Sequence, residues 1–188
     1  MPRRIRILIP ATTRILGSLS SEYENRDMGS TADRLAVGIK HATYEVEMLR
    51  YCLGLGREQQ NRQRGHAIVH FEALLVHYRN MLEFLYEGES NRDSDVRAVL
   101  FLGSGHGLPF EPPDWANHAK HRCNKMLSHI TFDRETLSSE WDQLDGHIST
   151  VLEDWQSFLE AIDESHRCVA QRHSSQLRNI FSAPGATS

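Results

Sequence analysis

Little in this 188-residue chain points to a framework built on covalent bridges or metal ions. Its three cysteines, Cys52, Cys123 and Cys168, form no C-x-x-C pair, which excludes a zinc ribbon and a disulfide scaffold. Each falls in a helical pattern and reads as a small buried hydrophobe in a reducing cytoplasm. No apolar run approaches the roughly 20 residues that cross a bilayer, so no membrane partner is expected. Strand-like alternation and internal repeats are missing too. So are the G-x-S-x-G elbow, the P-loop and the Rossmann fingerprint. "GSGHG" at 103–107 follows no strand and opens no helix, and it reads as a surface loop.

Positive charge is scarce outside one segment. Residues 1–14 hold four arginines and no acid, which leaves 17 basic and 25 acidic residues in the remainder. That body, at −8, does not suit an extended duplex, because phosphate binding needs a basic surface. The apolar "ILI" of the basic start is too short for a signal-peptide core of about 7–15 residues. Residues 1–29 therefore read as a flexible N-terminal extension. Residues 30–175 read as one helical-bundle domain, and 176–188 as a flexible tail.

What the chain does have is helical periodicity. Ser30 can cap a first helix, with Asp33 completing an S-x-x-D box. Leu35, Ile39, Ala42, Val46, Leu49 and Leu53 then recur at steps of three or four, until Gly54 and Gly56 mark the end. A second helix is expected over about 61–87, with a stripe of Ile68, Phe71, Leu74, Leu75, Tyr78, Met81, Leu82 and Leu85. A long glycine- and proline-bearing connection follows, holding a short helical turn near 96–102. Pro113 suits the first position of a third helix, with Asp114 near its positive end; Trp115, Ala119, Cys123, Met126 and Ile130 line its face. Ser139 and Asp142 can cap a fourth helix carrying Trp141, Leu144, Ile148, Val151, Trp155, Phe158 and Ile162. The expected fold class is thus all-α, a four-helix bundle with a long connection between helices 2 and 3.

Eleven histidines invite a metal reading. His66 and His70, and His118 and His121, have helical spacing, but the Glu-x-x-His signature of bundle metal sites does not occur. Asp163-Glu-Ser-His166, placed near the end of a long helix, is the nearest approach. No metal and no cofactor are expected. Two other constellations carry more chemistry. His118, Arg122, Lys125 and His129 share one face of the third helix, making a basic stripe able to hold phosphate, with His129 available for proton transfer near neutral pH. On the second helix, Arg79 and Asn80 stand side by side at the margin of a buried stripe. A guanidinium can clamp a phosphate through two bonds, and an asparagine amide can assist it.

The stretches "LLVHYRNMLEFLY" (74–86) and "HRCNKMLSHITFDR" (121–134) resemble the paired LLxHARNLIxFLY and RINKxxAHLTxxR patterns of small bacterial helical proteins. The arginine followed by a polar residue also resembles the motif of the HEPN superfamily, R-x4–6-H with a polar residue directly after the arginine. The resemblance implies an all-α bundle and, in many members, metal-independent endoribonuclease activity in toxin–antitoxin or antiphage systems. Positions 84–86, where the motif histidine belongs, are Phe84, Leu85 and Tyr86. The resemblance then implies two readings. In one, Arg79, Asn80 and His129 are catalytic, Arg122, Lys125 and Thr131 bind phosphate, RNA is the substrate, and the protein acts as a homodimer beside an antitoxin or other partner protein. In the other, the arginine–asparagine pair and "SHIT" only hold helices together in a non-catalytic interaction module.

Overall fold

The computed structural model describes residues 30–58, 64–87, 95–103, 105–128 and 143–182. The chain divides into two compact units, Met1–Arg34 and Leu35–Ser188. Of the first, only the residues opening a helix are described. There the hydroxyl of Ser30 accepts the Asp33 amide at 3.4 Å and donates to the Asp33 carboxylate at 2.9 Å. The expected cap is present, with the two side chains bonded to each other.

Five α-helices and one 3-10 turn make up the described residues, with no strand among them: α1 (Thr31–Glu58), α2 (Arg64–Tyr86), the 3-10 turn (Ala98–Phe101), α3 (Ala116–Ser128), α4 (Leu144–Ala161) and α5 (Glu164–Phe181). The class is all-α, as expected, and no helix among the described residues is long and apolar enough to cross a membrane.

The stripes fold inward as their spacing requires. Ile39, Val46 and Leu49 of α1, Leu75, Tyr78 and Met81 of α2, Cys123 of α3 and Ile148, Val151 and Phe158 of α4 are all buried without residual exposure. The long connection between α2 and α3 also contributes to this core: its 3-10 turn inserts Phe101, whose ring meets Phe84 and Phe158 at centroid distances of 6.0 and 5.9 Å. Edge-to-face and tilted contacts of this kind suit the charge distribution of aromatic rings.

Four expectations need correction. Gly54 and Gly56 do not end α1, which runs on to Glu58; Leu55 is buried just beyond Gly54, so packing outweighs the weak helix preference of glycine. The fourth helix is two helices. α4 stops at Ala161, and Asp163 caps α5 by accepting the His166 amide at 3.0 Å. Asp163-Glu-Ser-His166 is therefore a helix start and not part of a metal motif. α5 continues to Phe181 with Leu177 buried, so the tail boundary at 175 falls inside a packed helix. Finally, Cys52 and Cys123 are buried but Cys168 is exposed on α5, its thiol donating to Glu164. The expected extension at 1–29, the caps Ser139 and Asp142, and Ile130 and Trp141 lie outside the described residues.

Candidate functional site

The two motif-bearing helices are neighbours: α2 and α3 pack against each other. Their contact follows from the sequence, since Tyr78, Met81 and Leu82 on α2 and Ala119, Cys123 and Met126 on α3 are the buried positions of two amphipathic patterns. Arg79 follows the fully buried Tyr78 and so emerges at the edge of this seam, its side chain 35% exposed. Its Nε and Nη2 both donate to Glu83 Oε1, at 3.1 and 2.8 Å. That pair is an ordinary i,i+4 ion pair, and it orients the guanidinium along its own helix. Asn80 is half-buried beside it.

The α3 residues expected to bind phosphate are placed differently from one another. Lys125 and His118 are exposed, whereas Arg122 is half-buried and engaged by neighbours. Burial pushes the Cys123 thiol up to about 12, and the positive fields of Arg79 and Arg122 oppose that rise. Cys123 is therefore an unreactive thiol. The neighbouring Tyr78 hydroxyl is buried, with no hydrogen-bond partner among the described residues. Burial raises it well above the usual phenol range, Cys123 adds to the shift and Arg122 opposes it. His129 and Thr131 lie outside the described residues.

An imidazole that sequence reasoning did not single out stacks on the turn that precedes α3. His147 of α4 stacks on Trp115 with ring centroids 4.0 Å apart and planes 9° from parallel. Burial lowers its pKa and the charge of Arg122 lowers it further, so the ring is neutral at physiological pH and able to accept a proton. Nothing in helical spacing points to it, because its partners come from another helix and from the turn preceding α3. Trp115 also meets the edge of Tyr86 at 6.3 Å, and the Tyr86 hydroxyl donates to Asp154 Oδ2 at 2.5 Å. Burial raises Asp154, the Tyr86 bond partly offsets that, and the charge of Glu153 adds to it.

The remaining histidines spread over several helices. His77 Nδ1 meets Glu45 Oε2 at 2.6 Å and its ring stands edge-on to Tyr44, which ties α2 to α1. His166 is held by its cap partner Asp163. Among the described residues, no group of three or more histidine, cysteine or acidic side chains is arranged to hold a metal ion. The α2–α3 seam carries the guanidiniums of Arg79 and Arg122, cationic hydrogen-bond donors of a kind suited to an oxyanion. No family model, curated protein or solved structure matches this chain.

Proposed function

We propose that this chain is a HEPN-like helical protein of the bacterial toxin–antitoxin or antiphage type, acting on RNA as a metal-independent endoribonuclease at the α2–α3 seam. The observation that carries the reading is the packing of α2 against α3, the helices that bear Arg79 and Arg122. Two guanidiniums at one seam favour a phosphodiester, whose charge grows toward the transition state. In this reading the ribose 2′-hydroxyl attacks the adjacent phosphorus and gives its proton to His129. The 5′-oxygen leaves with a proton returned by an imidazolium, and a cyclic phosphate remains. Arg79 and Lys125 hold the developing charge, Asn80 steadies Arg79, and Arg122 and Thr131 hold the neighbouring phosphate. A homodimer in the cytoplasm, held in check by an antitoxin or other partner protein, belongs to the same proposal.

One observation favours the second reading, a non-catalytic interaction module: the Glu83 carboxylate already takes two Arg79 donors. The two readings separate in one assay. Full-length protein incubated with single-stranded RNA in excess EDTA should cut it, and Arg79→Ala should lower the rate at least 100-fold, about 2.7 kcal/mol of transition-state stabilisation, with unchanged helicity. Intact RNA with the wild type at high concentration, or equal cutting by both proteins, would leave the module reading standing.

A further inference from the structure

Away from that seam, an open cavity of about 380 Å³ lies where α1 and the 3-10 turn meet the break between α4 and α5. Most of its lining is apolar and includes Leu35, Leu100, Phe101, Leu102 and Ile162. Leu100 is 52% exposed there despite its size. The polar groups are His166, Asp163 and, from the connection before α3, the exposed His106. Among the described residues, no lysine or arginine lines it.

His166 is held in one orientation. Asp163 Oδ1 accepts Ser165 Oγ at 2.6 Å and the His166 amide at 3.0 Å, while Oδ2 accepts His166 Nδ1 at 2.5 Å. The bonds from Ser165 and the His166 amide keep the Asp163 carboxyl well below its usual range, so it is ionised and can only accept. Nδ1 therefore carries a proton, and in the neutral ring Nε2 is left as an acceptor. No described residue bonds Nε2, and the side chain keeps 16% of its exposure. The ring also stands edge-on to Phe101, with centroids 5.4 Å apart. A fixed acceptor among apolar walls is the usual composition of a small-molecule site.

We propose that this cavity binds a small neutral aromatic alcohol, its hydroxyl donating to His166 Nε2 and its rings against Phe101 and Leu100. The volume equals that of about a dozen liquid waters at about 30 Å³ each, room for one or two rings. A rigid ring suits the Phe101 wall and loses less rotamer freedom than a flexible chain. An anion would meet the Asp163 carboxylate with no lining cation to offset it. A cation gains little from a carboxylate whose two oxygens already take donors, and its desolvation among apolar walls is costly. The site is independent of the RNA reading, because none of its lining residues belongs to α2 or α3.

Equilibrium dialysis of the full-length protein tests this at about pH 8, above the ordinary range of imidazole. The ligands are 2-naphthol, 2-methoxynaphthalene, which lacks the donor, 2-naphthoate and 2-naphthylmethylamine. One-to-one saturation by 2-naphthol is expected, with the other three at least tenfold weaker. His166→Phe keeps the ring and the capped amide but removes the acceptor, and it should weaken 2-naphthol at least tenfold. Leu100→Glu, which puts a charge on an exposed part of the wall, should do the same and serves if the first variant loses helicity. The proposal is overturned if 2-naphthol does not saturate the wild type, if any of the other three binds as tightly, or if the folded variants bind like the wild type.

Discussion

Arg178→Ala should destabilise the fold more than Glu47→Gln does, although the two residues are partners in one ion pair. The inequality follows from their surroundings. Glu47 is 4% exposed, whereas the Arg178 side chain is 59% exposed. Removing Arg178 deletes the Nε donor to Oε2 and the Nη2 donor to Oε1 of a buried carboxylate, while Arg50 and Ser174 still reach Oε1. Breaking a buried pair from this side costs about 3–5 kcal/mol; because Arg50 remains, the loss should lie near 3 kcal/mol. Glu47→Gln keeps the shape, removes the buried charge and leaves Arg178 free to hydrate, so about 1 kcal/mol is expected. Combining the two changes should recover stability relative to Arg178→Ala alone, because no buried charge is then stranded.

Urea unfolding followed by far-ultraviolet circular dichroism measures all four proteins. Acidification gives an independent check on sign. Burial pushes Glu47 up, but the bonds from Arg178 and Ser174 and the charges of Arg50 and Arg178 outweigh it, so the folded carboxyl titrates below its usual value. The stability it contributes is therefore complete above about pH 4.5, the value of the free group, and is lost as pH falls through the lower folded value. In Arg178→Ala burial should prevail and raise the carboxyl, so that the deficit of the variant narrows on acidification. If Glu47→Gln proves as costly as Arg178→Ala at pH 7, or the double variant is the least stable, Glu47 is not acting as a buried charge and the reasoning fails.

The remaining expectations are simpler. Tyr78→Phe deletes a buried hydroxyl that has no partner among the described residues; it should raise stability by about 1 kcal/mol, read as an upward shift in Tm, and a loss of that size would reveal a bond to the hydroxyl. Gly54→Ala meets open space within α1 and should gain about 1 kcal/mol from helix preference. Gly38→Ala, whose added Cβ would lie 2.6 Å from Val96 Cγ1, should gain less or lose stability; equal Tm shifts for the two alanine variants would contradict the packing described. Asp163→Ala removes the α5 cap and should cost about 1 kcal/mol at neutral pH. Bonds from Ser165 and the His166 amide hold the Asp163 carboxyl well below its usual range, so this contribution persists above about pH 4 and fades as acid protonates the group. A cost that is constant down to pH 2 would rule out the cap as its source.

Several features were legible in the sequence because local spacing encodes them. Leu144, Ile148, Val151, Trp155 and Phe158 recur at helical steps and are buried together, and Ser30 with Asp33 announces a cap. The break after Ala161 was hidden by the same rule. Ile162 continues the apolar stripe, so the capping Asp163 looked like the interior of one long helix. The glycines misled in the opposite direction, since a helix with Leu55 still to bury continues through Gly54. At the candidate site, the neighbouring placement of the Arg79 and Arg122 helices was legible from paired motifs. The bond from Arg79 to Glu83 follows i,i+4 spacing and is local enough to be encoded in the sequence. His147 against Trp115, and Glu47 against Arg178, join positions far apart in the chain, and no periodicity encodes such pairs.

The proposal that the α2–α3 seam cuts RNA without a metal is tested most directly by the ends of the fragments. Single-stranded RNA treated with the full-length protein in excess EDTA should yield 5′-hydroxyl fragments ending in 2′,3′-cyclic phosphate, and Arg79→Ala should yield none above background. Uncut RNA, or 3′-hydroxyl ends that form only when magnesium is added, would contradict it.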